Sequence, residues 1–476
     1  MAKIFSDILK GNFFKGDKGV WMIWFLLCMV SLVEVYSASS RMTFGSTTHW
    51  GPMLNQAFFL VAGLGVILLI HRIPCKWFMV FPFFMFPLAF VLLAITVFGG
   101  GGGELNGTHR WMNIAGISFQ PSEVAKAALI MSAAVVLAKT QAEQKKVIRG
   151  KEKVIVGAIK GKRYTAFAIV GSMSAVICGL IFADNVSTSL MLFFVIVVMM
   201  FVAHVPIDLM AKGILGILAL GLVVGSIAMV LPEDTVKGIP GMKRVVTVKH
   251  RLLRSTEKGD HDSEALEKKN KDRAKFLDEL HKKCAVGSPE EKAAIAEYDW
   301  SIEKKELLND KNSQTTFAKV AVANSHVIGL GPGNSIQRDF LQHAESDFIY
   351  AIIVEETGLV GALVVMFLYV TLLIRVGRIA QKCRRFFPAY LVLGLGLMMV
   401  LQALVNMGVA VGAFPVTGQT LPLISKGGTS IIITSFYIGV ILSVSRNADA
   451  QAPSKKAKIV TTEGETLEYT TDGTMV

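Results

Sequence analysis

Apolar residues fall in long runs separated by polar segments along almost the whole chain. The runs occupy residues 20–39, 54–70, 77–98, 120–137, 166–183, 188–203, 213–231, 347–376, 388–411 and 429–445. Most are close to the ~20 residues that an α-helix needs to cross a bilayer. A water-soluble core needs no such repetition. The pattern predicts an all-α polytopic membrane protein with ten transmembrane helices. With an even number of spans, both termini lie on one side.

Composition excludes the main alternatives. Of 476 residues, 52% are hydrophobic and 18% charged, with mean hydropathy +0.52. A soluble domain carries about 25% charged residues. A soluble enzyme, a secreted disulfide scaffold and a disordered chain are all excluded. The cysteines (Cys28, Cys75, Cys178, Cys284 and Cys383) have neither disulfide-framework nor zinc spacing.

Charge sets the orientation. The net charge is +13. Lys139, Lys145, Lys146, Arg149 and further cations crowd the segment between spans four and five, and Arg375, Arg378, Lys382, Arg384 and Arg385 join spans eight and nine. The alternate loops are nearly free of Lys and Arg, so the positive-inside rule places both termini in the cytoplasm. Residues 232–346 are rich in lysine but equally rich in acids, and loops beyond ~60 residues translocate largely regardless of charge. This large loop between spans seven and eight is therefore expected outside. Residues 263–283 and 289–308 within it read as a charged helical hairpin, the second helix opening with Ser288-Pro289-Glu290-Glu291. The expected divisions are a cytoplasmic N-terminus (1–19), spans one to seven (20–231), the external loop (232–346), spans eight to ten (347–445) and a disordered cytoplasmic tail (446–476). Nucleic-acid binding is not expected, because no basic stretch is interleaved with exposed aromatics.

Four clusters carry candidate chemistry. The first is Arg110-Trp111, followed by Gln120-Pro121-Ser122-Glu123 and Lys126. Gln120 can cap span four, and Glu123 and Lys126 share a helix face and can pair. The second is Gly329-Leu330-Gly331-Pro332-Gly333-Asn334-Ser335, with Gln337 and Arg338, where glycines let backbone amides approach an anion. It lacks the Gly-Lys-Ser/Thr of a nucleotide loop. The third is His343-Ala344-Glu345-Ser346-Asp347, leading into a helix that carries Glu355 and Glu356. Asp347 reads equally as a helix N-cap or as a desolvated general base. The fourth runs from Asn406 through Pro415-Val416-Thr417-Gly418 to Leu421-Pro422, Ser425-Lys426 and Gly427-Gly428, a broken segment tolerated at membrane depth only against protein or a wet cavity. The plainer readings are interface anchors at Arg110 and Trp111, a tight turn at the glycines and a snorkelling lysine at Lys426.

Taken in order, these motifs resemble the SEDS family (shape, elongation, division, sporulation), the FtsW/RodA/SpoVE peptidoglycan polymerases. The similarity runs from about residue 20 to 445. Gly331-Pro332-Gly333-Asn334-Ser335 and Asn406-Met407-Gly408-Val409 are more like the division members, typified by FtsW, than the elongation members. The resemblance implies polymerisation of lipid II into glycan strands during septal wall synthesis, outside the bacterial cytoplasmic membrane. It implies that Asp347 is the catalytic general base in an inverting transfer. Substrate binding is expected from Arg110, Trp111, Gln120, Ser122, Glu123, Lys126, Gln337, Arg338, Glu355, Ser425 and Lys426, with Arg110, Lys126, Arg338 and Lys426 as candidates for compensating pyrophosphate charge. No metal ligand set is evident, and the need for a divalent cation stays open. The expected partners are lipid II, the nascent strand, a class B penicillin-binding protein and other division proteins. Gly358, Gly361, Ala362, Gly394 and Gly396 offer a small-residue seam for that single-span partner.

The chain departs from the family at Glu345-Ser346-Asp347, where His-Thr-Asp is usual, at Lys426, where tyrosine is frequent, and at Asp184-Asn185-Val186-Ser187-Thr188, where Pro-Asp-x-Gly-Thr is usual. Two other function classes suit the pattern: a lipid II flippase or transporter, favoured by Glu355 and Glu356 within a span, and a non-catalytic division scaffold.

Overall fold

The structure is a computed structural model. It describes residues 14–39, 50–98, 112–114, 117–148, 151–158, 162–230, 276–277, 280, 295, 297, 313–451, 456–460 and 466–470. Helices dominate: α1 (Lys18–Ala38), α2 (Gly51–Ile70), α3 (Phe81–Phe98, after the single turn Trp77–Met79), α4 (Pro121–Lys139), α5 (Lys162–Asp184) and α6 (Val186–Val202). They continue with α7 (Ile207–Val230), α8 (Ser313–Asn324), α9 (Ile349–Lys382), α10 (Phe386–Ala410) and α11 (Gly428–Gln451). Eight of the described helical segments are long and apolar enough to cross a membrane, α6 is apolar at 17 residues, and the chain is an integral membrane protein. Helices also form at the sequence-predicted position of span seven, now α7.

Local chemistry explains the starts. Asp17 caps α1 by accepting from the Val20 amide at 3.1 Å, and Asn185 caps α6 by accepting from the Thr188 amide at 3.3 Å. Pro121 occupies the first turn of α4, where its missing N–H costs no hydrogen bond. Gln120 holds the cap position in extended conformation, but its side chain makes no capping bond.

The helices are not equivalent. In α4, 78% of the spanning stretch is buried within the protein, against 22% in α2. A central helix surrounded by protein can hold polar groups that lipid would reject. α4 does so, with Glu123, Lys126 and Ser132 all buried.

Four expectations are corrected. Span eight does not begin at Asp347: Phe348 is the cap residue, without a side-chain bond, and α9 starts at Ile349. α9 is also broken at Gly358 (φ 70°, ψ −169°). Only glycine fits there, because a Cβ would lie 2.5 Å from the Gly329 nitrogen and the Val327 oxygen. The small-residue seam is used internally: a Cβ on Gly394 would meet Ile130 and Met199, one on Gly396 would meet Val376, and Ala362 is buried. Three antiparallel hairpins form where connecting loops or a disordered tail were expected: β1–β2 (Met112–Ile114 with Ile117–Phe119), β3–β4 (Gln141–Ile148 with Lys151–Ala158) and β5–β6 (Lys456–Val460 with Thr466–Thr470). The last lies in the tail expected to lack order, where Ile459, Val460, Thr466 and Tyr469 supply strand-favouring residues. The charged helical hairpin expected at 263–308 lies outside the described residues except for Phe276, Leu277, Leu280, Ile295 and Glu297, each helical.

Candidate functional site

The glycine loop and α9 explain each other. The break at Gly358 frees backbone groups that a continuous helix would pair. The 326–331 strand of chain takes them up: the Leu330 and Gly331 amides donate to the Glu355 and Glu356 carbonyls at 3.0 and 2.8 Å, and the Leu359 and Val360 amides donate to the His326 and Val327 carbonyls at 3.3 Å each.

The next residues enclose the two carboxylates. Glu356 accepts from the Gly333 amide (2.9 Å), the Ser335 amide (3.2 Å) and the Ser37 hydroxyl of α1. Glu355 accepts from the Ile336 and Gln337 amides (3.3 Å each) and from the Ser335 hydroxyl. Both side chains are fully buried. The amides expected to face an external anion therefore face an internal one. Successive N–H groups in a loop of positive-φ glycines make such a concavity.

Arg338 stands against this cluster, donating to the Ser37 hydroxyl at 3.0 Å. Glu34 lies one turn before Ser37 on the same face of α1 and is 2% exposed, with Oε2 lacking a hydrogen-bond partner. Sequence reasoning missed Glu34 and Ser37. The available signal was an acid inside the first apolar run, since ionisable groups within a span are expensive.

Asp347 sits in the turn before α9 and is half-buried. Its turn closes on His343, whose carbonyl accepts from the Ser346 and Asp347 amides at 3.1 Å each and whose own φ is positive. Three successive carbonyls are then fixed from outside: Glu345 by the Lys426 amide (2.9 Å), Ser346 by the Ser425 hydroxyl (2.5 Å) and Asp347 by Asn406 Nδ2 (2.8 Å). The turn is held through its backbone, which leaves the placement of the Asp347 carboxylate set by a rigid frame.

The broken segment before α11 provides that frame. Ser425 Oγ also accepts from the Leu421 amide at 2.7 Å, and Asn406 Nδ2 donates to the Gln419 carbonyl at 2.6 Å. Gln419 Nε2 donates to the Thr188 hydroxyl, and Asn185 Nδ2 donates to the Thr417 carbonyl at 3.4 Å. Asn185 and Thr188 thus do structural work in the stretch that departs from the family pattern. Gln402 on α10 donates to the Thr420 carbonyl at 3.0 Å and accepts from Lys126 Nζ at 2.8 Å. Lys126 also pairs with Glu123 at 2.7 Å and is wholly enclosed.

The sequence-predicted residues thus divide. Ser425 and Lys426 meet Asp347 at its turn; Gln337, Arg338 and Glu355 gather at the glycine loop; Glu123 and Lys126 pair inside α4, not with Glu355. Gln120 and Ser122 line a small cleft with Thr96 and Asn185. Arg110 and Trp111 lie outside the described residues. Among the described residues no group of three His, Cys, Asp or Glu could hold a metal ion.

The profile of the cell cycle proteins FtsW, RodA and SpoVE matches residues 17–247 and 299–450. The chain is 27% identical over 438 residues to the "probable peptidoglycan glycosyltransferase FtsW" of Enterococcus hirae, covering 90% of this chain and 93% of that one. It is 29% identical to the protein of the same name from Nitrosococcus halophilus, covering 87% of each. Its fold matches a chain from a peptidoglycan synthase complex that coordinates polymerization and crosslinking, at TM-score 0.60 and 21% identity over 91% of this chain and 98% of that one. The chain belongs to the FtsW/RodA/SpoVE family of cell cycle proteins.

Proposed function

We propose that the chain is a peptidoglycan glycosyltransferase that polymerises lipid II into glycan strands for septal wall synthesis in cell division. The observation that carries this reading is a half-buried Asp347 on a turn whose three carbonyls are pinned by Asn406, Ser425 and Lys426, in a chain of this family. Asp347 takes the proton of the acceptor sugar's 4-hydroxyl as that oxygen attacks the donor's anomeric carbon. The bond from that carbon to the pyrophosphate breaks, and its configuration inverts. Pyrophosphate leaves as a stabilised anion, so no second carboxylate is needed as an acid. Fixing the turn in advance avoids reorganisation in the transition state.

Of the four cations proposed for the pyrophosphate, Arg338 and Lys426 fit best by position. Lys126 is enclosed by Glu123 and Gln402, which suits support of the frame. The topology that accords with this reaction has α1 to α7 and α9 to α11 as ten spans, both termini cytoplasmic, and α8 in the external loop. The setting is the bacterial cytoplasmic membrane at the septum. A class B penicillin-binding protein is the partner that would crosslink the strands. With the internal seam occupied, the outward Leu359, Val360, Leu363, Val364 and Phe367 of α9 become the candidate face for its span.

The transport reading loses its main support, because Glu355 and Glu356 are saturated by loop donors. Purified chain, alone and with its transpeptidase, incubated with lipid II tests the proposal. Glycan strands are expected. Translocation of lipid II across vesicles without strand formation would overturn it.

A further inference from the structure

At the opposite end of α9 from Asp347, three cavities adjoin. One of about 150 Å³ is lined by Lys76, Arg384, Arg385, Cys75 and Cys383; a second of about 270 Å³ shares Arg384, Arg385 and Phe387 and adds Lys139. A third, of about 470 Å³, opens beside Arg72, Pro74, Trp77 and Phe81. Each is large beside the ~30 Å³ of a water molecule.

The charge here is one-sided. Lys76, Lys139, Arg384 and Arg385 are exposed, and no described carboxylate lies within 4.0 Å of them. Arg446 reaches the same corner, donating to the Arg72 carbonyl at 3.1 Å. Among the described residues no Asp or Glu lines any of the three cavities. Asn447, in the wall of the first, has an amide nitrogen with no hydrogen-bond partner. The thiols add no compensating charge: burial pushes Cys75 up to about 12, with Cys383 adding and Arg385 opposing, and burial pushes Cys383 up to about 11. Beside this cationic floor the surface turns apolar. Trp77 is 60% exposed at the entrance, and Phe83 and Phe84 continue along α3. Tryptophan at such a boundary marks the level of lipid headgroups.

We propose that this pocket binds the phosphate of an anionic phospholipid, with Lys76, Arg384 and Arg385 around the headgroup and the acyl chains along the outer face of α3. Basic pockets between membrane helices select anionic headgroups in this way. A soluble phosphate would use the cations but not the aromatic flank. The site is separate from the transfer chemistry and does not depend on it.

The test is native mass spectrometry of the full chain in detergent, titrated with phosphatidylglycerol or phosphatidylcholine. Phosphatidylglycerol should be retained preferentially, and the preference should fall roughly fivefold for each charge removed in K76Q/R384Q/R385Q. The R384K/R385K variant, with its charge intact, should keep it. If the triple variant does not fold, K76Q alone should show the single step. Equal retention of the two lipids, or a preference unchanged in K76Q or in the triple variant, overturns the proposal. Displacement of the lipid by glycerol 3-phosphate at concentrations matching the lipid's own would also overturn it, reassigning the site to a soluble anion.

Discussion

Asp347 and Glu356 lie nine positions apart in the sequence, and the fold uses their carboxylates in opposite ways. Glu356 spends its oxygens on Ser37, Gly333 and Ser335 and is buried. At Asp347 the bonds from Asn406, Ser425 and Lys426 go to the backbone carbonyls of its turn, and the residue is half-buried. A carboxylate that accepts several hydrogen bonds is a fixed strut. One whose turn is held by its backbone is positioned independently of the bonds its own oxygens make. The contrast implies that changes at the strut act on stability and changes at the turn act on rate.

The largest loss of stability is expected from Glu356→Ala, which strands buried donors of the glycine loop. Each unsatisfied donor costs ~1–3 kcal/mol, so thermal unfolding in detergent should show a large drop in midpoint. A midpoint unchanged from wild type would remove the strut from the account. Next comes Lys126→Met, which leaves Glu123 buried beside an apolar chain, at a cost of ~3–5 kcal/mol. The double variant Glu123→Gln/Lys126→Met should recover part of that loss in the same melting experiment. If it is no more stable than the single change, the pair is not coupled.

A smaller stability effect, ~1 kcal/mol, is expected for Asn406→Ala, which removes one anchor from the Asp347 turn. Its signature should be kinetic: kcat for strand formation falls at least tenfold while the lipid II KM changes little. A change confined to KM would assign Asn406 to substrate binding instead. The smallest effect belongs to deletion of residues 263–308, which should leave insertion and melting of the helical body near wild type. Failure of the deleted chain to insert would make that segment part of the core.

Much of this was legible in the sequence. The helix positions follow from uninterrupted apolar runs, because a bilayer demands length and nothing else. Even the Glu123–Lys126 pair follows from spacing on one helix face. The break at Gly358 was not legible, since a glycine among apolar residues reads equally as a packing position. Its cause is the approach of the Gly329 backbone, nearly thirty residues away, which no local pattern carries. The same long-range contact turned the glycine loop from a ligand cradle into a clamp on Glu355 and Glu356. The anchors of the Asp347 turn were named as a cluster, but their pairing with carbonyls 345 to 347 depends on tertiary folding of the broken segment. Glu34 was visible as an acid in an apolar run, but its place beside Glu356, one turn from Ser37, depends on the packing of α1 against α9.

The central claim is that Asp347 supplies chemistry and not support. Its most direct test measures lipid II polymerisation and thermal unfolding on the same preparation of Asp347→Asn. The account predicts a fall in rate of about 10²–10⁴-fold, the usual contribution of a general base, with an unfolding midpoint at the wild-type value. Polymerisation at the wild-type rate, or a loss of rate accompanied by a matching loss of stability, would contradict it.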